Sequence, residues 1–387
     1  MPTDTDHLDT LDQHLSGANH VWLLGAGISK DAGIPLMGTL TEKVFSNLNS
    51  NQGQESARLL EKIREDLSDE ANIEDVLSHL SDFAALAYRA RSTKVTIGGD
   101  VWNYRDIVGA HDEVMKIIAN IIRGGYFSEE CYGTPQEPAV KVGPHVDFIN
   151  ALFYTAHSGY PNWRPPVSIF TTNYDTLIED ALALCRIPYW DGFTGGAVAF
   201  RDHSFGELPP KGYRAHLCKL HGSIDWHMGE AGNVWRVRAN DNYPEVTGED
   251  SEVLIYPRAT KYVATQRDPF AAQFDLLRRT LSSSDETVFF ICGYSFGDEH
   301  LNQEIEMALA REESATTLVA FIGADGNVPE PLASWRERSW GKKVIVVTSS
   351  AIYLGNDPPT ELPNGYDDWW TFQGVTRLLR TGAGLGA

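Results

Sequence analysis

The sequence predicts an α/β fold with a doubly wound, mostly parallel sheet, and three observations predict it. Apolar runs short enough for buried parallel strands recur at Val21-Trp22-Leu23-Leu24, Val167-Ser168-Ile169-Phe170 and Val288-Phe289-Phe290-Ile291-Cys292. Each run ends at a glycine or polar tip, namely Gly25-Ala26-Gly27, Thr171-Thr172-Asn173 and Gly293. Strands alternate along the chain with stretches of helical spacing, the pattern of parallel strands joined by crossover helices. In such sheets ligands bind beyond the carboxyl ends of the strands, so the tips are where function is to be sought.

Taken in order, Leu8, Leu11 and Leu15 predict a short amphipathic helix over residues 5–16, before the first strand. At the tip of that strand, Gly25 and Gly27 lack a Cβ. They are expected to adopt positive φ and to turn free N–H groups, with the following helix N-terminus, toward a pyrophosphate. The pattern departs from GxGxxG, because Lys30 stands where the third glycine would be and the next glycine is Gly33. By itself the glycine pair suits an ordinary tight turn better than a nucleotide site.

Thr39 or Thr41 is placed to cap a helix through Val44, Phe45 and Leu48. Residues 55–92 read as two helices, and a third runs from about Asp106 to Arg123. With His145 to His157 they form a helical module inserted at about residues 41–160, read as a packing module in preference to a lid. Leu177 to Leu184 is a helix, residues 187–212 are looser, and Ala215 to Leu220 is a strand ending at His221. Residues 229–252 carry turn signals and read as a surface hairpin or loop. Phe270 to Leu281 and His300 to Ala310 are helices, and Leu318 to Ile322 and Val344 to Val347 complete the sheet. The nucleotide-binding domain is expected to span residues 1–350. A C-terminal segment, 351–387, holds Trp369, Trp370, Phe372 and a helix near Val375 to Leu379, with a disordered end from Thr381.

Composition narrows the function. The net charge of −21 argues against strong direct nucleic-acid binding, which needs clustered Lys and Arg. No apolar run approaches the roughly 18 residues of a membrane span. The first residues are acidic where a signal peptide is basic and then apolar, so a cytoplasmic location is expected. The four cysteines, Cys131, Cys185, Cys218 and Cys292, form no CxxC pair and read as buried thiols, not as metal ligands.

Four segments lie in a telling order: Gly25-Ala26-Gly27-Ile28-Ser29 continuing to Ala32-Gly33-Ile34-Pro35; Thr171 to Asp175; Lys219 to Trp226; and Gly293 to Asp298. Together they resemble the sirtuin fold, and more closely the sirtuin-like NAD hydrolases of bacterial anti-phage defence, over about residues 20–350. The resemblance implies a Rossmann-type sheet that takes NAD as substrate and uses no metal. It implies that Asn173 and His221 are catalytic, with Asn173 beside the scissile bond and His221 as the histidine of the His-Gly motif. It places Asp175 at the nicotinamide carboxamide. Gly25, Ala26, Gly27 and Ser29 would form the phosphate and ribose turn, with Gly293 and Ser295 on phosphate and the adenosine ribose.

The chemistry suits these residue types. Nicotinamide leaves NAD as a neutral base without needing an acid, so the enzyme must fix the ribose and admit a nucleophile. An amide and an imidazole do both. Each residue also has a plainer reading: Asn173 is a common helix cap, Asp175 favours a helix N-terminus, and His221 and Ser295 suit structural roles.

There are departures from the sirtuin pattern. Leu36-Met37-Gly38 follows Pro35, so the usual phosphate arginine is missing, and Thr172 stands where a glutamine precedes the asparagine. The four-cysteine zinc module is not recognisable, nor is an acyl-peptide groove, which leaves water as the nucleophile. The expected function is an NAD glycohydrolase that depletes NAD so that an infected cell halts before phage replication completes. It would act as a homo-oligomer with a HerA-like ATPase partner. The alternatives are a non-catalytic NAD or ADP-ribose sensor and a protein deacylase.

Overall fold

The computed structural model describes residues 5–17, 19–50, 54–128, 131–134, 136–156, 165–229, 232–238, 252–255, 268–323, 328–362 and 366–383. In chain order these form α1 (Thr5–Leu15), β1 (His20–Leu24), α2 (Met37–Ser50), α3 (Gln54–Asp66), α4 (Ile73–Arg89), β2 (Lys94–Ile97), β3 (Asp100–Asn103) and α5 (Tyr104–Gly124). Next come β4 (Tyr126–Ser128), β5 (Cys131–Tyr132), α6 (Gly143–Asn150), β6 (Val167–Thr171), α7 (Leu177–Leu184), β7 (Tyr189–Trp190), β8 (Phe193–Gly195) and β9 (Val198–Arg201). The remainder are β10 (Ala215–Lys219), β11 (Gly222–Met228), β12 (Val234–Val237), β13 (Glu252–Ile255), α8 (Phe270–Leu281), β14 (Thr287–Cys292), α9 (Glu299–Leu309), β15 (Thr316–Phe321), α10 (Glu330–Glu337), β16 (Val344–Val347), β17 (Ala351–Leu354), β18 (Thr360–Glu361) and α11 (Phe372–Thr381).

Strand β1 is buried along its whole length because both faces of its sheet are covered. Trp22 and Leu24 face a core built with α1, α6, α7 and α11, and Val21 and Leu23 face another built with α8, α9 and α10. This is the two-residue alternation of a strand between two helical layers. The nine-stranded sheet runs β18-β17-β16-β15-β14-β1-β6-β10-β7. Its strands from β16 to β7 pair in parallel, and β17 and β18 add antiparallel at one edge. The doubly wound sheet expected from the apolar runs is therefore present.

Helices α2 to α5 enclose a core of their own and stand over the carboxyl edge of the sheet. Helix α2 starts at Met37, so Thr39 and Thr41 lie inside it and neither caps it. Thr41 Oγ1 instead donates to Met37 O at 2.8 Å and accepts the Ile73 N–H at 3.0 Å, which ties α2 to α4. Helix α5 opens at Tyr104, two residues before the sequence boundary, because Asn103 and Asp106 form a reciprocal capping box. The hairpin β2–β3 was not foreseen; Gly98 and Gly99, both at positive φ, make its turn.

Residues 187–212 differ from their reading as loose chain, and within 229–252, read as a surface hairpin or loop, β12 pairs antiparallel with β11. Among the described residues they contribute β8, β9 and β12 to a second sheet, ordered β13-β11-β12-β9-β8 and paired antiparallel where its registers are defined. Helix α6 continues as a π-helix over Ala151–Ala156; the end of the predicted helix, at His157, lies outside the described residues. At the C-terminus Thr371 caps α11 by accepting the Gly374 N–H at 2.9 Å. Ala383 is buried, and its N–H donates to Asp12 Oδ1 at 2.8 Å. The disorder expected from Thr381 onward meets these described residues, while 384–387 lie outside them. Cys185, Cys218 and Cys292 are free and buried. Burial pushes the Cys218 and Cys292 thiols up to about 12.

Candidate functional site

The chain runs outward from β1 to β6 and β10, then crosses back to β14 and continues to β15 and β16. The sheet therefore reverses direction between β1 and β14, where a crevice opens at the carboxyl edge. A cavity of about 690 Å³ fills that crevice, walled on one side by α2 and α4 through Met37, Leu40 and Glu74. Of the residues singled out from the sequence, Ala26, Gly27, Ser29, Asn173, Asp175, His221, Gly293 and Ser295 line it.

Gly25 and Gly27 serve a different purpose from the one expected. Gly25 has φ −105° and ψ −178°, and neither glycine is at positive φ. Their N–H groups are not free for a ligand: Gly25 N–H donates to Cys292 O and Gly27 N–H to Gly293 O, each at 2.9 Å. The glycines let two backbones touch. A Cβ at Gly25 would lie 2.5 Å from Gly293 O, and one at Gly27 would lie 2.8 Å from Gly293 Cα. Gly293, at φ +69°, would bring a Cβ to 2.6 Å from Ile28 N. The tips of β1 and β14 are thus interlocked, and the helical turn after β1 is a four-residue 3-10 segment, Ala26–Ser29.

Beside this lock lies a chain of buried hydrogen bonds. Asn173 Nδ2 donates to Ser29 Oγ at 3.1 Å, and Ser29 Oγ donates to Asp175 Oδ2 at 2.8 Å. Asp175 Oδ1 accepts the Leu177 N–H at 3.0 Å, so the plainer reading, a place at the N-terminus of α7, holds for Asp175 in addition to its place in the cavity wall. The helix-cap reading fails for Asn173, whose side chain turns to Ser29 while its own N–H donates to Thr171 Oγ1 at 3.0 Å. Asn173 Oδ1 is buried and has no hydrogen-bond partner among the described residues. Leaving such an acceptor unmet costs about 1–3 kcal/mol, so the cavity suits a ligand that presents a hydroxyl there.

The loop carrying Asn173 to Asp175 is held by buried charge. Lys219, 2% exposed, donates to Glu179 Oε1 at 3.0 Å and to the carbonyl oxygen of Asp175. Burial raises the Glu179 carboxyl above the usual carboxylate range, and Lys219 pulls it back in part. Ser223 Oγ donates to Tyr174 O at 3.2 Å, and Tyr174 Oη donates to Glu74 Oε1 at 2.6 Å, linking this loop to α4.

His221 follows β10 after Leu220, and its Nε2 lies 3.0 Å from Asp298 Oδ2, both side chains buried. Asp298 closes the segment Gly293 to Asp298; its spacing before α9 marks a helix cap, and nothing local marks a partner 77 residues away. The loop before it is braced by Asn302 Nδ2, which donates at 2.7 Å to the carbonyl of Phe296, a non-glycine residue at φ 58°.

The far end of the cavity differs in kind. Phe321, Ile322 and Gly323 at the tip of β15 meet Trp370 from the C-terminal segment, whose ring packs on Gly323 and stays 38% exposed. From β10 to β15 is four strand spacings, roughly 19 Å. Asp31, Glu74, Asp175 and Asp298 all line the cavity. Among the described lining residues Lys30 is the one Lys or Arg, and no arginine occupies the place where the sequence lacked one.

A family model described as a SIR2-like domain matches residues 167–345. The match takes in Asn173, Asp175, His221, Gly293, Ser295 and Asp298, and leaves out β1, the helical module and Trp370. It supports a sirtuin-like family and NAD-related chemistry. No curated protein matches the chain. Among the described residues no helix is long and apolar enough to cross a membrane, and no group of three His, Cys, Asp or Glu is placed to hold a metal ion.

Proposed function

We propose that the chain is an NAD glycohydrolase that converts NAD and water to nicotinamide and ADP-ribose. The observation that carries the reading is the convergence of Asn173, Ser29, Asp175 and His221 on one cavity at the sheet's switch point. In the reaction the bond between the ribose C1′ and the pyridinium nitrogen breaks, and its electron pair neutralises the nicotinamide ring. Water attacks C1′, and its proton passes to His221. Asn173 Oδ1 is the acceptor for a ribose hydroxyl or the attacking water, and Asp175 faces the carboxamide. A positioned base contributes about 10²- to 10⁴-fold, and the rest comes from orientation and electrostatics.

The SIR2-like match supports NAD chemistry in general; the hydrolytic outcome, the role in anti-phage defence and assembly with copies of itself and a HerA-like ATPase are proposals that follow from the resemblance. A free-running NAD hydrolase would harm its own cell, so the isolated chain is expected to be slow until its partner joins it.

The test is nicotinamide release from NAD by the purified chain, alone and with the HerA-like partner, beside Asn173→Ala and His221→Ala. Each substitution is expected to lower release at least 10²-fold while ADP-ribose binding persists. Binding without release under any condition would replace the reading with a sensor, and release only with an acylated lysine peptide would replace it with a deacylase.

A further inference from the structure

We infer that Asp298 is the positioning residue for His221: it fixes the imidazole proton on Nε2 and so leaves the basic lone pair on Nδ1. The inference rests on the glycohydrolase reading for its kinetic consequence, but the protonation pattern itself does not depend on that reading.

The argument starts from what Asp298 can and cannot offer. An ionised carboxylate only accepts hydrogen bonds. Its Oδ1 accepts two backbone N–H groups at the start of α9, from His300 at 3.1 Å and Leu301 at 3.2 Å. Its Oδ2 lies 3.0 Å from His221 Nε2. A contact of that length with an acceptor requires Nε2 to carry the proton, and in a neutral imidazole the other nitrogen then holds the lone pair.

Asp298 cannot easily turn away from this task. Its orientation is set by the two helix N–H donors, and its backbone carbonyl accepts from Tyr294 Oη at 3.2 Å. Tyr294 Oη shares its one proton between that carbonyl and Asn302 Oδ1, 3.0 Å away, and Asn302 Nδ2 holds the Phe296 carbonyl, so two side chains brace the loop that presents the carboxylate. The same residue therefore starts a helix and sets the tautomer of a base on a strand tip far away in sequence.

This double role gives the experiment its leverage. In Asp298→Asn the side-chain oxygen must stay toward the two helix N–H donors, since the amide NH₂ cannot accept from them. The NH₂ is then forced toward His221 Nε2, which becomes an acceptor, and the ring proton moves to Nδ1. The helix cap survives while the tautomer inverts. Asp298→Ala removes both functions.

The test is ¹⁵N NMR of the full chain with labelled histidines, using His221→Ala to assign the His221 ring nitrogens. The expected result is a neutral ring protonated at Nε2 in the native chain and at Nδ1 in Asp298→Asn, whose thermal midpoint stays close to native. Nicotinamide release by Asp298→Asn is expected to fall on the order of 10³-fold or more with little change in KM, as for a base held in the wrong tautomer. Should native His221 carry its proton on Nδ1, or should Asp298→Asn keep the native tautomer and rate, the inference is overturned. If no chain releases nicotinamide but the tautomer inverts as described, the glycohydrolase reading fails and the positioning role stands.

Discussion

The two ends of the cavity are built on different principles. At the β6 and β10 tips every functional side chain is held by hydrogen bonds and buried charge: Asn173 by Ser29, Ser29 by Asp175, the loop beneath them by Lys219, and His221 by Asp298. At the β15 tip the wall is apolar, and Trp370 is placed by packing on Gly323. The polar end fixes atoms to within a hydrogen bond, as bond-breaking requires. The apolar end presents a flat face with latitude in position, which suits a planar base and contributes to binding without touching the reacting atoms. On the glycohydrolase reading, the difference teaches that one cavity would separate rate from affinity along its length.

The strongest way to break this contrast is to remove the charge beneath the polar end. Lys219→Met leaves Glu179 buried without its cation, and losing one member of a buried pair costs about 3–5 kcal/mol. The pH dependence has a definite sign. Burial raises the Glu179 carboxyl, so stability falls as pH rises past the ordinary carboxylate range toward the raised value. Without Lys219 that fall becomes steeper. Thermal unfolding of both chains between pH 5 and pH 8 measures it; equal slopes would mean that Lys219 does not compensate Glu179.

A smaller effect sharpens the contrast from the other side. Trp370→Ala is expected to raise KM for NAD roughly tenfold or more, since stacking on an aromatic contributes about 1–3 kcal/mol per base, while kcat stays within about twofold. Cleavage of nicotinamide mononucleotide, which has no second base, is expected to be unchanged. A fall in kcat for both substrates would show that the apolar end acts on the chemistry after all.

The smallest effect concerns the middle of the cavity. Lys30 is exposed, so Lys30→Ala is expected to raise KM only about two- to fivefold, and the rise should shrink at high salt. Titrating KM against salt for both chains checks this.

The parts of the fold and site that were legible in the sequence are those written in local pattern. Val21–Leu24 and Val288–Cys292 read as buried strands because sheets covered on both faces need unbroken apolar runs. Helices α3, α4 and α5 showed themselves by spacing. Strands β8 and β9 did not, because they are short and β9 finds its second partner, β12, only far along the chain. Asn173, Asp175 and His221 stood out because their motifs lie at strand ends. The His221–Asp298 pair and the Tyr174–Glu74 bond were hidden, since nothing near either residue announces a partner 77 or 100 positions distant. Trp370 was hidden too; one of ten tryptophans, it gains meaning only where the C-terminal segment returns to Gly323.

The interlocked tips of β1 and β14 bear on how such a chain can change over evolutionary time. Gly25, Gly27 and Gly293 are held by mutual backbone contact, with no ligand needed to account for them, so a descendant that lost the chemistry would still be unable to exchange them for alanine without parting the two strands. Glycine at these three positions is therefore accounted for by architecture alone. Whether an ancestor's activity survives would be read from Asn173 and His221, which the fold alone does not oblige a lineage to keep.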